Sequence, residues 1–322
     1  MLTSGRFLRA WVGALALCCA TALPSVSMGQ GASPAAVTGA SAAITARNLT
    51  SRDFPRWQQL EPNVYAYEGL HSSGINTVSL IVVTDEGVVV ADGQGDLAQT
   101  RLMIENIGKW TTQPIKYVVV ASDHTDHVGG NAAFKEAFPD VTFIASPVSQ
   151  ERLAKSSTPV VMAVSEQRSL RLGGVKIEVL NLGRAHTGGD LVVWLPDTNV
   201  VFLGEVYLRG VFPAMRSAYP SEWLATIRKA QAMNAAWYVP GHGFIDGAAD
   251  LRRDLEQSRR ALGWVIEEAQ RLHKAGFACP AANDCPALAH ADWGSLNDWA
   301  LRDSQAPMAI WKVYQELEGK LP

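Results

Sequence analysis

Charge is scarce in this chain, and so is cysteine. Asp, Glu, Lys and Arg make up 18% of its 322 residues, and only four cysteines occur. The 28 basic residues are slightly outnumbered by 31 acidic ones, a net charge of −3, and no Lys/Arg block is long enough to follow a phosphate backbone. A nucleic-acid partner is therefore not expected. Apolar runs are short as well: none reaches the roughly 20 residues that a bilayer crossing needs, which excludes a polytopic membrane protein. Hydrophobic residues are not lacking, at 48% with a mean hydropathy of +0.02, so the chain can bury a sizeable core and is not wholly disordered.

The first 29 residues read as a signal peptide. Arg6 and Arg9 precede an uncharged apolar stretch, Ala10 to Leu23, and small residues at Ser25, Ser27 and Gly29 offer cleavage positions. The alternative is an uncleaved N-terminal anchor. Cleavage would remove both arginines and two of the cysteines, leaving a net charge of −5 and a periplasmic or secreted protein with no stable membrane span. Only Cys279 and Cys285 would remain, in one Pro/Ala/Asn/Asp loop. An oxidising compartment favours a disulfide between them. A metal clip is the rival, but no histidine or second cysteine pair stands beside them at zinc-finger spacing.

Residues 30–52 form an Ala/Ser/Thr/Gly tract that reads as a disordered linker. Beyond it the texture changes, with a strand-rich body over 53–247 and a helical C-terminal extension over 248–322. Val64 to Glu68 reads as a strand. Asn76 to Thr84 and Val88 to Ala91 read as a β-hairpin closed by Asp85-Glu86-Gly87. Leu97 to Trp110 has helical spacing, and Ile115 to Ala121 is a buried strand. A second β-rich block runs from Ser169 to Leu203, and Ser221 is the expected N-cap of a helix ending near Asn234. From Leu251 to Leu272 apolar residues recur on one helical face, and Leu301 to Leu321 holds a further helix. Two strand-rich blocks with accompanying helices predict two packed sheets with helices outside, an α/β (α+β layered) fold.

Four of the seven histidines occupy distinctive places. His124 and His127 lie in Ser122-Asp123-His124-Thr125-Asp126-His127, directly after a buried strand. His186 lies in Gly183-Arg184-Ala185-His186-Thr187-Gly188-Gly189-Asp190, and His242 in Pro240-Gly241-His242-Gly243. Loops at the ends of apolar strands can aim such side chains at a common point. Neutral imidazoles joined by one or two carboxylates suit Zn²⁺, and Fe or Mn with more oxygen donors.

These motifs resemble the metallo-β-lactamase-fold hydrolases, over roughly Asn63 to Gly243. The family signature is His-x-His-x-Asp-His, followed by a lone His, a Gly-Asp or Cys, and a final His. His124, Asp126, His127, His186 and His242 match its positions, and the Pro-Gly-His-Gly ending is similar to glyoxalase II-like members. The resemblance implies an αββα sandwich of two mixed sheets flanked by helices, with the site on one edge. It implies that His124 and His186 hold one metal while Asp126, His127 and His242 hold another. Two departures stand out. Ser122 replaces the first signature histidine and is a poor zinc ligand; Glu205 stands where the bridging aspartate usually sits. The expectation is accordingly one Zn²⁺, with two possible. Ser122 itself, Asp123 and His71 are candidates to repair the weakened site, and Asp92 is a candidate partner for a ligand histidine.

The activity implied is metal-assisted hydrolysis of a small molecule. A zinc-bound hydroxide, oriented by Asp126, would attack an ester, thioester or lactam carbonyl. Two alternatives remain: a β-lactamase proper, or a non-catalytic metal-binding protein with a degraded first site. Tyr207 and the Phe212-Pro213-Ala214-Met215-Arg216 stretch are expected near the substrate cleft, with Arg216 available to an anionic group.

Overall fold

The structure, a computed structural model, describes residues 41–71, 75–156, 158 and 160–322. The expected signal peptide over 1–29 and the first part of the expected linker lie outside them. The remainder of the linker is folded, contrary to expectation. Helix α1 (Ser41–Ala46) buries Ala43 and Ile44 beside Phe244, and Arg47 pairs with Asp246 at 2.9 Å. Two apolar neighbours and one cation suffice to hold a segment whose composition otherwise suggests a tether.

Among the described residues twelve strands form two mixed sheets. The first runs in chain order, β1 (Arg56–Glu61), β2 (Val64–Leu70), β3 (Asn76–Val83), β4 (Val88–Ala91), β5 (Ile115–Val119), β6 (Thr142–Ala145) and β7 (Met162–Ala163). Its first four strands pair antiparallel, and β4 to β7 pair parallel. The β3–β4 hairpin turns where the acidic-glycine sequence predicted, with the Thr84 hydroxyl donating to the Gly87 carbonyl at 2.8 Å. The second sheet comprises β8 (Gln167–Leu172), β9 (Val175–Leu180), β10 (Val192–Leu195), β11 (Val200–Phe202) and β12 (Trp237–Val239), in the order β12-β11-β10-β9-β8. Here β11 and β12 are the parallel pair.

Alternation along the strands separates three apolar layers. Val78, Leu80 and Val82 of β3 meet Ile177, Val193 and Phe202 of the other sheet to form the inter-sheet core. The outer face of the first sheet is covered by α2 (Leu97–Ile107), with α3 (Thr125–Val128), α4 (Ala132–Ala137) and α5 (Pro147–Leu153) following the strands on that side of the sequence. The second sheet's outer face, with Val192, Val201 and Tyr238, packs on α6 (Pro220–Ala232), α7 (Ala248–Lys274) and α8 (Arg302–Leu317). The apolar face expected of α7 is buried, Leu255 through Leu272 there and Leu251 in the inter-sheet core.

Helix α6 begins differently from expectation. Its N-cap is Tyr219, with Pro220 in the first turn, where a missing N–H costs nothing. Ser221 instead gives its N–H and hydroxyl to Glu316 of α8, at 3.0 and 2.7 Å.

The parallel pairings gather several strand ends at one place. Ala91 lies opposite Val119, and Phe202 opposite Val239, so the carboxyl ends of β4, β5, β11 and β12 share one edge of the sandwich. Asp92, Ser122, Glu205 and His242 each come within a few residues of one of these ends. Backbone bonds join the sheets at that edge, Leu191 N–H to Ala121 O at 3.0 Å and Val78 N–H to Gly241 O at 2.9 Å. No helix among the described residues is long and apolar enough to cross a membrane.

Candidate metal centre

Four loops bring the imidazoles together. His124 caps the short helix α3, whose next turn carries Asp126 and His127. His186 lies between β9 and β10, Glu205 on a 3-10 turn after β11, and His242 after β12. Two glycines permit the last approach. Gly204 has a φ of +50°, and a Cβ on Gly241 would stand 2.6 Å from the Gly204 carbonyl carbon. The Gly241 N–H donates to Gly204 O at 2.7 Å, locking the Glu205 turn against the His242 loop.

The donor atoms fall into two groups that share one carboxylate. Asp126, His127, Glu205 and His242 form the first; His124, His186 and Glu205 form the second. In the first, the two Nε2 atoms of His127 and His242 are 3.1 Å apart, and His242 Nε2 lies 3.3 Å from both Asp126 Oδ2 and Glu205 Oε1. In the second, His124 Nδ1 and His186 Nε2 are 3.2 Å apart, at 2.8 Å from Glu205 Oε2 and 3.1 Å from Oε1 respectively.

The outward ring atoms are committed elsewhere. His127 Nδ1 faces Asp92 Oδ2 at 2.9 Å, and His242 Nδ1 donates to the Asn76 carbonyl at 2.6 Å. With those protons placed outward, the two Nε2 lone pairs face each other, an arrangement that needs a positive charge between them. Burial alone would depress the His127 imidazole, but Asp92, then Glu205 and Asp126, lift it to about 9. Likewise His242 sits well above its ordinary value, because Asp126 and Glu205 outweigh its burial. Burial works to raise Glu205, yet the His186 and His127 imidazoles hold it well below the carboxylate range. The carboxylates thus favour positive charge at this point, the condition under which these residues would hold a divalent ion. Tetrahedral zinc with ligands near 2.1 Å places its donors about 3.4 Å apart, so the residues present fit the ion.

Asp92 is fully buried and holds both edges of the turn. Its Oδ1 accepts from the Ala121 N–H at 2.7 Å while Oδ2 meets His127. The expected repairs of the second group supply no donor to it. Asp123 turns away to Arg152 at 3.1 Å. His71 places Nε2 2.5 Å from the Thr77 hydroxyl, which itself donates to Asp126 O, and belongs to neither group. The buried Ser122 hydroxyl donates to Glu205 Oε2.

The groups open onto a cleft of about 320 Å³. It is lined by Ile75, Leu208, Val211 and Ala214 and by Leu301, Ser304, Gln305 and Met308 of the α8 region, with Arg216 among them. Arg216 is exposed, and no ion pair to it is found among the described residues. Tyr207 and Phe212, expected at the cleft, are fully buried in the core under α7, where Tyr207 Oη donates to Leu251 O at 3.0 Å. Sequence reasoning missed Asn76, whose side chain holds Gly243 through bonds of 2.9 Å to its N–H and carbonyl. A polar residue opening an apolar strand was the available signal. The α8 wall gave none. Cys279 and Cys285 are joined by a disulfide packed against α8, with Cys279 Sγ 3.9 Å from the Pro307 carbonyl.

A family model described as the metallo-beta-lactamase superfamily matches residues 73–242, more than half of the chain. The chain is 26% identical over 207 residues to a metallo-beta-lactamase type 2 of Bacillus sp. (strain 170), covering 62% of this chain and 80% of that one. Among solved structures it is similar to a metallo-beta-lactamase from Pontibacter korlensis, with a TM-score of 0.58, 23% identity, and coverage of 65% of this chain and 98% of that one. It is also similar to metallo-beta-lactamase IND-7, with a TM-score of 0.57, 24% identity, and coverage of 65% and 97%.

Proposed function

The chain belongs to the metallo-β-lactamase superfamily, and on that premise we propose that it is an exported hydrolase acting on the ester, thioester or lactam carbonyl of a small molecule. One observation carries the reading: four imidazoles from distant segments, with Asp126 and Glu205, meet at the floor of an apolar cleft. His124, Asp126, His127, His186, Glu205 and His242 would hold Zn²⁺. The ion would supply a nucleophile active near pH 7 and stabilise the charge developing on the carbonyl oxygen.

The chain's own groups do the rest. Asp92 and the Asn76 carbonyl fix the ring orientation of His127 and His242. Asp126, with its side chain 41% exposed, borders the cleft and is placed to orient the attacking group. That opening separates this reading from a non-catalytic metal protein, because structural zinc sites are closed and catalytic ones keep an accessible face. The apolar walls suit an apolar acyl or ring body, and the exposed Arg216 suits an anionic group on it.

A panel of ester, thioester and β-lactam substrates, with and without a chelator, tests the proposal. Turnover of at least one class, abolished by chelation and by His127→Ala or His242→Ala, is expected. Nitrocefin hydrolysis would single out the β-lactamase reading, which the named relatives favour. Activity in metal-free protein would refute the proposal.

A further inference from the structure

We infer that Ser122 and Glu205, the two departures from the family pattern, are a single compensated change that preserves a second metal position. The inference rests on the metal-dependent reading and concerns only how this chain fills the half of the site that lacks its histidine. A serine hydroxyl is a poor zinc ligand, so by residue type alone the half containing His124 and His186 is one donor short. The structure places Glu205 there. Its Oε2 lies 2.8 Å from His124 Nδ1, and its Oε1 3.1 Å from His186 Nε2. Those three donors are as close to one another as the donors of the intact half, whose imidazole nitrogens are 3.1 Å apart.

The reach comes from the extra methylene of glutamate over aspartate. Oε1 also lies 3.3 Å from His242 Nε2 and 3.7 Å from His127 Nε2, so the carboxylate stands between the halves, with Oε2 turned toward His124. Ser122 has a different task from the histidine it replaces. Its side chain is too small to fill an imidazole's volume, and its buried hydroxyl donates to Glu205 Oε2. Its backbone N–H is held by Asp92 Oδ1 at 3.3 Å, which fixes the hydroxyl's origin. Serine thus orients the carboxylate, and the carboxylate supplies the missing donor together with a negative charge suited to a divalent ion.

The test is a titration of the metal-free, full-length protein with Co²⁺, monitored by its visible absorption, and zinc analysis after dialysis. Two equivalents per chain are expected for the unmodified protein. Glu205→Asp should bind one, because the shorter side chain draws the carboxylate back from His124 and leaves that half, without its signature histidine, short of a donor. Ser122→Ala should keep two, with the second weakened about 10- to 100-fold, the usual effect of removing a group that orients a ligand. A chain carrying both Ser122→His and Glu205→Asp should regain the second equivalent, and that rescue distinguishes a donor exchange from simple damage. One equivalent in the unmodified protein overturns the inference, and that measurement needs no variant. So does Glu205→Asp retaining both at unchanged affinity, Ser122→Ala binding both as tightly as before, or failure of the double replacement to restore the second. No bound metal in the unmodified protein would instead overturn the functional reading itself.

Discussion

Asp92 has a φ of +59°, a left-handed conformation that non-glycine residues adopt rarely. Such geometry persists where surrounding contacts over-determine it, and here the Ala121 N–H and the His127 ring occupy both carboxylate oxygens. Asp92→Asn tolerates the backbone but loses the charge that sets the His127 tautomer. Zinc affinity measured by competition with a chelator should fall about 10- to 100-fold. Glu68 governs a different property. Burial lifts its carboxyl to about 7, against the pull of Arg56, from an ordinary 4.5. Between those values the folded chain binds a proton that the unfolded chain has released, so stability falls as pH rises through this window, by up to about 3 kcal/mol. Denaturant unfolding at pH 5 and pH 7 should show that fall, and Glu68→Gln should flatten it.

At the scale of elements, α8 matters beyond its packing. The Phe212 N–H donates to the Ala300 carbonyl at 2.9 Å, and Leu301, with a φ of +63°, turns the chain into α8 so that Leu301, Ser304, Gln305 and Met308 face the cleft. These residues lie outside the family match over 73–242. Met308→Ala should raise KM for a turned-over substrate several-fold, with kcat and metal content little changed, as expected when uniform binding is removed. The sequence pattern was informative where periodicity was strong. The β3–β4 hairpin, the α7 stripe and the strand-end histidines could all be read from it. It was silent on α8's role, because an amphipathic helix announces that it buries a face without naming what it buries against. Tyr207 and Phe212 misled for the same reason: proximity to Glu205 in sequence did not reveal that their side chains turn into the core. Helix α1 escaped because two apolar residues in an alanine-rich tract make no period. Glu205's reach was also hidden, since it depends on a backbone approach that Gly204 and Gly241 create only in the folded chain.

For the molecule as a whole, the donors come from both sheets. His124, Asp126 and His127 come after β5 of the first; His186, Glu205 and His242 come after strands of the second. An ion held by both groups stabilises the folded state by mass action, about 2.7 kcal/mol at a free concentration one hundred times its Kd. Removing it with a chelator should lower Tm in calorimetry, and adding zinc back should restore it. The seam position has a practical corollary. Once stripped, that edge is joined by ordinary hydrogen bonds such as Leu191 to Ala121 and Val78 to Gly241. A protease should then nick the 181–191 loop sooner than in the loaded form. An inhibitor that extracts the ion would therefore both silence the protein and shorten its lifetime, whereas one that merely plugs the cleft would leave the rivet in place.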